Sequence, residues 1–322
     1  MSRPEFSIII PTYNRADFLS KTLESALAQA HDNIEIILSD NASTDNTFET
    51  ISKYLKDNRI KYFKNKENIG MVSNWRKAVY EYASGDWFLI LSDDDYLLDD
   101  NYISEAARLI EENKSVVLVY ANGYMENVKK GYKKNLSLPF KRVESGKKIF
   151  FSRGTILPQD FTLCNVIFNR ELSIKFNAFS NKNNISCDSE LFLKSCLSGD
   201  VGVIKRNVSL YRYNHGTNLL QNYRDNLDML VNSADCYIGP YFMAIEKNIF
   251  TKKELKEWKK RTIISTFLGT LRNVFLYHRS VFLKNIWRVV KINKISYSDL
   301  PCIIFVVLNE IRKRIKLLFM LR

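Results

Sequence analysis

Three consecutive carboxylates, Asp93, Asp94 and Asp95, follow the apolar run Trp87-Phe-Leu-Ile-Leu91. That run reads as a buried strand of the kind found in parallel sheets. Adjacent carboxylates repel one another, so a fold that keeps them together offsets the charge with a cation or with backbone donors. In open α/β sheets, ligands bind just beyond the carboxyl ends of strands. The position suits a metal that in turn holds a phosphate. The plainer alternative is an acidic loop capping the next helix, with Asp99 as a second cap.

Two more strand ends carry polar groups. Phe6 to Ile10 is strand-like and stops at Pro11-Thr-Tyr-Asn14, and Ile34 to Leu38 leads into Asp40-Asn-Ala-Ser-Thr-Asp-Asn-Thr47. Tyr13 offers a face on which a base can stack. Asp40 can accept a base N–H, and Asp94 can hold a divalent cation bridging two phosphates. Gathered at one crevice, these groups make a nucleotide-diphosphate site without a glycine-rich loop. Neither G-x-G-x-x-G nor G-x-x-x-x-G-K-[ST] occurs, which argues against a dinucleotide-binding fold and a P-loop NTPase.

The elements that must position these groups alternate along the chain. Helical spacing over Arg15 to Ala30, a helix ending near Leu55, a strand at Ile60 to Phe63 and a helix from Met71 to Ala83 precede the acids. A helix over Asn101 to Glu112 and a strand at Val116 to Tyr120 follow them. This pace predicts βαβ units and a mostly parallel sheet. After Asn122 the pattern loosens. A helix at 147–153, a strand at 165–169, a helix at 187–197 and strands at 201–204 and 208–213 come next. From Asn222 onward only helical patterns appear.

With these motifs in order, the chain resembles the GT-A glycosyltransferases, specifically family 2, whose members are inverting and use nucleotide sugars. Four segments within about the first 120 residues carry the resemblance: Ser7 to Asn14, Ile36 to Thr47, Asn68-Ile-Gly70 with Ala83-Ser-Gly-Asp86, and Leu91 to Asp95. The resemblance implies a Rossmann-like α/β domain with a helical carboxyl-terminal extension. It places Pro11, Thr12 and Tyr13 around the nucleoside, Asp40 on the base edge, and Asn68 and Gly70 in the donor half. Asp93 would lie toward ribose and phosphate, Asp94 would bind Mg²⁺ or Mn²⁺, and Asp95 would support the loop. Ser92 stands where the usual D-x-D has its first acid.

The same resemblance implies an acceptor half in which Asp188 is the catalytic base, with Cys187 in place of the usual preceding acid. Glu190 is a second candidate base. Arg212 or His215 would face the diphosphate, and His215 could also ligate the metal. Asp188 as a helix N-cap is the plainer reading of that position. Transfer of a sugar from a nucleotide sugar to a lipid-linked glycan hydroxyl is the expected reaction. A metal-dependent sugar nucleotidyltransferase and a non-catalytic nucleotide-binding scaffold on a membrane are the alternatives.

The charge is unevenly spread. Of the net +13, residues 251–322 supply 17 Lys and Arg against 4 acids, while residues 1–250 balance at 31 and 31. Such a tail points to an anionic partner. The apolar run Leu300 to Leu308 is too short to span a bilayer, which takes roughly 20 residues. It is followed by Arg312-Lys-Arg-Ile-Lys316. Trp258, Trp287, Phe267, Phe275 and Phe282 are interleaved with Lys and Arg upstream, as in interfacial helices on anionic membranes. No nucleic-acid module accompanies the charge. The expected organisation is a GT-A domain over 1–220, divided into a donor half 1–121 and an acceptor half 122–220, with a membrane-associating extension over 221–322. Five cysteines without metal spacing and the lack of a visible signal peptide lead to the expectation of a cytoplasmic protein, peripheral on the inner face of the cell membrane.

Overall fold

The computed structural model describes residues 5–153, 162–184, 186–213, 226–232, 235–278, 280, 282–292, 294–296 and 299–301. The chain divides into two compact units. One comprises Met1–Ser152, Ile156–Lys182 and Cys187–Thr217, and the other Arg153–Thr155, Asn183–Ser186 and Asn218–Arg322.

In the first unit, β1 (Phe6–Thr12), β2 (Ile34–Asp40), β3 (Ile60–Lys64) and β4 (Trp87–Ile90) lie in the order β3-β2-β1-β4, all parallel. Their runs of Ile, Leu and Phe are buried on both faces, which is why no apolar-polar alternation marks them. The crossovers are α1 (Ala16–Leu27), α2 (Thr47–Ser52) and α3 (Met71–Lys77), which widens into a π turn over Ala78–Tyr82. Leu19, Leu23 and Ala26 form the buried stripe of α1. All three loops that leave β1, β2 and β4 emerge at one edge, because the strands are parallel and in register.

Beyond β4 the sheet is mixed. β9 (Val166–Asn169) runs antiparallel between β4 and β6 (Val116–Asn127), and β10 (Asp200–Tyr213) pairs parallel with β6. The short β5 (Tyr96–Leu97) is antiparallel to β10. β7 (Tyr132–Leu136) folds back on β6, and β8 (Val143–Ser145) pairs with β10. α4 (Tyr102–Glu112), α5 (Gly146–Phe151), α6 (Arg170–Lys175) and α7 (Cys187–Cys196) complete the unit.

Two sequence expectations change here. The segment after Asn122 is not loose: β6 runs on to Asn127 and closes a hairpin with β7. The strands expected at 201–204 and 208–213 are one strand, broken in register around Asn207. Asn122 fills the break, donating to the Lys205 carbonyl at 2.6 Å and accepting the Leu138 N–H at 2.8 Å. A buried amide thus replaces the ladder bonds that the bulge removes.

At the opposite edge, near the amino ends of the strands, Glu35 is buried and saturated. It accepts from Ser7 Oγ (2.6 Å), Ser84 N–H (2.6 Å), Ser84 Oγ (2.9 Å) and Lys61 Nζ (2.6 Å). Gly85 fits against this knot because a Cβ there would meet Ser7 Oγ at 2.7 Å and the Phe6 carbonyl carbon at 2.8 Å.

In the second unit α8 (Leu227–Val231), α9 (Asp235–Glu246), α10 (Lys252–Lys259), a π turn, α11 (Ser265–Tyr277) and α12 (Phe282–Ile292) pack together. A Thr251–Glu254 capping box starts α10. Trp258 and Phe267, expected on an interfacial surface, are instead core residues: Trp258 is fully buried against Tyr237 and Tyr241, and Phe267 joins Val274, Val289, Leu230 and Val231. Their bulk is what a helical unit this small needs for a core. Trp287 and Phe275 do face solvent, at 74% and 48% exposure. The side chain of Phe282 and all of 302–322, with most of the apolar run and the whole basic run, lie outside the described residues. Among the described residues no helix is long and apolar enough to cross a membrane. Cys164, Cys187, Cys196 and Cys236 are buried free thiols, and Cys302 lies outside the described residues.

The Glu35 knot yields a stability prediction. Burial alone would raise its pKa, but Lys61, Ser7 and Ser84 outweigh that and hold it below the ordinary 4.5. A depressed carboxyl contributes stability that is complete above its unfolded value and lost as pH falls through the folded one. Glu35→Ala should cost on the order of 3 kcal/mol at pH 7, because five donors, the Gly85 N–H at 3.2 Å among them, lose this acceptor. Urea midpoints should show the gap to wild type narrowing below pH 4.5.

Candidate active site

The acid turn begins where β4 ends. The Asp95 N–H donates to the Ser92 carbonyl at 3.0 Å, and the Thr22 hydroxyl of α1 reaches the carbonyls of Asp93 (2.8 Å) and Asp95 (2.6 Å). Asp95 is buried and accepts the Arg212 N–H at 2.8 Å, while Arg212 Nε donates to the Asp94 carbonyl at 2.6 Å. The Arg212 guanidinium stands over Phe18 and Tyr96. Arg212 therefore clamps the turn through its backbone and its Nε. Burial, then Asp94, push the Asp95 carboxyl well up. Asp93 is pushed up to about 7 by burial and then by Asp94, with Thr12, Arg15 and the Tyr13 backbone pulling the other way.

The loops after β1 and β2 lie beside this turn, since β1 flanks β4 and β2 flanks β1 in the parallel sheet. Tyr13 is exposed, and Asn14 adopts a left-handed φ of 53°. Asn14 donates its N–H to Ser43 Oγ (2.9 Å) and accepts the Thr44 N–H on Oδ1 (2.8 Å), so the two loops are stitched together. Asp45 accepts both the Ala16 and the Thr47 N–H and starts α1 and α2. Asp40 is buried. It accepts the Ser43 N–H (2.7 Å) and the Tyr62 hydroxyl (2.7 Å), and Lys64 Nζ stands 4.0 Å from its Oδ2.

Asn68 and Gly70 sit in a network of amides. Asn68 Oδ1 accepts from Asn41 Nδ2 (2.8 Å) and the Gly70 N–H (2.9 Å), and Asn41 Oδ1 accepts from Asn65 (3.1 Å) and the Ile69 N–H (3.0 Å). Asn74 of α3 closes the network against Asn65 and Ser39. Gly70 needs no room, since a Cβ would meet nothing within 4 Å; its φ of +86° and ψ of 155° are what demand glycine.

Asp188 and Glu190 occupy the first turn of α7. Asp188 Oδ1 accepts the Ser189 N–H at 2.7 Å, and Glu190 pairs with Lys194 at 2.6 Å, four residues along the same helix. Burial, followed by the charges of Asp95 and Asp94 and, more weakly, Asp188, pushes the Tyr211 phenol up. His215 lies outside the described residues.

Arg15, Asn41, Asn65, Asn74, Thr22 and Tyr211 were missed in the sequence. Asn74 alone left a trace there, as an amide on the buried side of a helix. Arg15 Nη2 approaches Asp94 Oδ2 at 3.5 Å, while its Nη1 is buried without a hydrogen-bond partner. A buried unpaired donor beside an acidic turn is the complement of an incoming anion. A divalent cation also fits. Asp93 and Asp94 are hard oxygen donors, and among the described residues no three acid, His or Cys side chains converge to hold a metal alone. Mg²⁺ is commonly held by one or two carboxylates, with substrate phosphates and water completing the shell. Arg15→Gln should weaken nucleoside-diphosphate binding roughly tenfold by calorimetry, the loss expected for one hydrogen bond to a charged group, with an unchanged circular dichroism spectrum.

Comparison with known proteins meets this geometry at the same residues. Residues 7–175, just over half of the chain, match the family described as Glycosyl transferase family 2. An uncharacterized glycosyltransferase of Rickettsia felis is 30% identical over 216 residues, 66% of this chain and 33% of its own length. The Escherichia coli UDP-Glc:alpha-D-GlcNAc-diphosphoundecaprenol beta-1,3-glucosyltransferase WfaP is 40% identical over 120 residues, 37% of this chain and 46% of its own. The chain thus spans between a third and a half of the length of these two relatives. The crystal structure of Staphylococcus aureus TarS 1–349 superposes with a TM-score of 0.61 at 17% identity, over 92% of this chain and 77% of that one. Its likeness is one of fold, and the fold is GT-A. A family match over the donor-side loops and this shared architecture lead to one assignment: the chain belongs to glycosyl transferase family 2.

Proposed function

We propose that the protein is an inverting glycosyltransferase that moves one sugar from a nucleoside-diphosphate donor to an acceptor hydroxyl. The observation that supports this reading is the acid turn after β4, where Arg15 Nη2 stands 3.5 Å from Asp94 and Arg15 Nη1 is buried without a hydrogen-bond partner. Pro11, Thr12 and Tyr13 enclose the nucleoside and Asp40 takes the base edge. Asn68 and Gly70 hold the loop that backs it. Asp94 would hold a divalent cation, which when bound neutralises charge on the departing diphosphate, and Asp93 lies toward the ribose and phosphates. Arg15 faces the same charge.

Asp188 is the base. Its carboxylate accepts the proton of the acceptor hydroxyl as the oxygen attacks the anomeric carbon, and the carbon–phosphate-oxygen bond breaks on the opposite face. Attack opposite the leaving group inverts the anomeric centre. Glu190, paired with Lys194, is less suited to this task. The nucleotidyltransferase and scaffold alternatives lose ground to the family assignment and to the paired donor and base sites.

Relatives support a lipid-linked acceptor. WfaP and a Campylobacter jejuni beta-1,3-glucosyltransferase, 38% identical over 96 residues, are both named for undecaprenol-linked acceptors. TarS has been solved with UDP-GlcNAc, and a Pyrobaculum calidifontis mannosyltransferase of TM-score 0.55 with GDP-Man and Mn²⁺. Work on such an acceptor, in surface-polysaccharide or lipopolysaccharide assembly, calls for residence at the cytoplasmic face of the membrane. The second unit offers the means. Phe275, Leu276, Tyr277 and Trp287 are exposed, and so are Arg272, Lys284, Arg288 and Lys291. Apolar side chains mixed with cations suit an anionic lipid surface.

Asp188→Asn should lower transfer by about 10²–10⁴-fold while donor binding is retained; near-wild-type transfer would remove Asp188 from the mechanism. A thermal-shift panel of nucleotide sugars with and without Mn²⁺ should show stabilisation by one donor, greater with the metal. Trp287→Ala should reduce partition onto phosphatidylserine-rich vesicles roughly tenfold, the worth of one large buried apolar side chain, and leave partition onto neutral vesicles weak.

A further inference from the structure

Two guanidinium groups stand at the acid turn, and they are held differently. Arg212 is fixed. Its N–H donates to Asp95 at 2.8 Å and its Nε to the Asp94 carbonyl at 2.6 Å, and its guanidinium carbon lies 5.5 Å from the Phe18 ring centre and 5.4 Å from that of Tyr96. The Arg15 side chain is held loosely. Its Nη2 stands 3.5 Å from Asp94 Oδ2, well beyond the roughly 2.8 Å of a charge-assisted hydrogen bond. Its guanidinium carbon is 5.4 Å from the Phe18 ring centre, and Nη1 is buried without a hydrogen-bond partner.

The backbone beneath Arg15 is set. Its carbonyl accepts the Phe18 N–H (3.0 Å) and the Leu19 N–H (3.3 Å), and the next N–H, of Ala16, goes to Asp45 at 3.2 Å. What is left to move is the side chain, which is long and 21% exposed. Of the three acids it reaches Asp94, while Asp93 and Asp95 are buried and Asp95 already takes the Arg212 N–H. A divalent cation on Asp94 would therefore meet a guanidinium at the same carboxylate. Two cations there repel each other, so a cation arriving alone must break the pair with Arg15. A diphosphate changes that balance. The guanidinium fork matches phosphate oxygens with two parallel bonds, which would satisfy Nη1 as well as Nη2.

We propose that Arg15 is a placeholder for the cation: it neutralises Asp94 until a nucleoside diphosphate arrives, then turns to the diphosphate and leaves Asp94 to Mg²⁺ or Mn²⁺. The inference rests on the glycosyltransferase reading and adds how the donor site assembles. The Arg15–Asp94 pair must break when the cation binds alone, and again when the nucleotide alone claims Arg15. When both bind, one breakage serves two ligands, and each charged side chain gains a new partner. Arg15 thereby couples the two binding events positively, each ligand tightening the other by the same factor. Arg212, tied by its backbone and its Nε, stays with the turn throughout.

Titration of the full chain with Mn²⁺, read by electron paramagnetic resonance of the free ion, tests the exchange with and without UDP or GDP. In the wild type, whichever nucleotide binds should tighten Mn²⁺ about tenfold or more. Arg15→Gln should bind Mn²⁺ alone about tenfold tighter than the wild type, because Asp94 has lost its competitor. The nucleotide should then tighten Mn²⁺ by a smaller factor than in the wild type. Arg15→Met, which keeps packing on Phe18 without the charge, should behave as Arg15→Gln does, and Arg15→Lys should stay as weak for Mn²⁺ alone as the wild type. Adding Asp94→Asn to Arg15→Gln should remove the gain. An arginine that served only the anion would leave nucleotide-free Mn²⁺ binding where it was. No gain in the neutral variants, an equal nucleotide factor in all proteins, or a gain that survives Asp94→Asn overturns the exchange. Nucleotide binding is read by calorimetry on the same preparations. A wild type that binds UDP or GDP yet gives one of those results sinks the exchange alone. A wild type that binds neither, with or without Mn²⁺, sinks the enzyme reading and the exchange with it.

Discussion

Three carboxylates within one turn, two of them almost out of water, set the terms for the rest of the first unit. Desolvation and mutual repulsion both work against their ionised forms, as the upward shifts of Asp93 and Asp95 show. The chain answers with groups from four elements. Thr22 of α1 ties down two carbonyls, Arg212 of β10 gives its N–H to Asp95 and its Nε to Asp94, and Arg15 faces the Asp94 carboxylate. The loop after β1 supplies Thr12 and the Tyr13 backbone to Asp93. No element of the turn stands without one of the others.

The same economy runs through the neighbouring loops. Side-chain amides tie the loops after β1, β2 and β3 together. Asn41, Asn65, Asn68 and Asn74 satisfy one another and the backbone at Ile69 and Gly70, and Asn14 and Ser43 join the first two loops. Buried amides have fixed donor and acceptor ends, so one network admits one arrangement. That rigidity lets exposed Tyr13 be presented from a fixed frame.

The helical unit follows a different logic. Trp258, Phe267 and their neighbours fill a core between short helices, and the basic residues are left to the outside. Aromatic residues interleaved with lysines in the sequence therefore serve two ends. Some hold the unit together, and others, such as Trp287 and Phe275, face solvent. Spacing alone does not separate them, since a short helix buries whichever side its neighbours cover.

How much was legible beforehand depends on the range of the interaction. Buried parallel strands announce themselves as continuous apolar runs, so β1, β2 and β4 and the acids that follow were readable, as was the family likeness carried by the loops. The hairpin after Asn122 was not, because lysine, tyrosine and asparagine are poor local markers of strand and their pairing depends on the partner β6. Nor was the single bulged β10, whose break at Asn207 is stabilised by Asn122, some eighty residues away. Sequence by itself determined which residue types stand at the ends of which strands: the acids, Tyr13, Asp40 and the first turn of α7. Only the tertiary structure decided their company. It put Arg15 beside Asp94 and turned Arg212 into a clamp. Charge and polarity are properties of a residue, but desolvation and hydrogen-bond geometry belong to the neighbours that folding supplies.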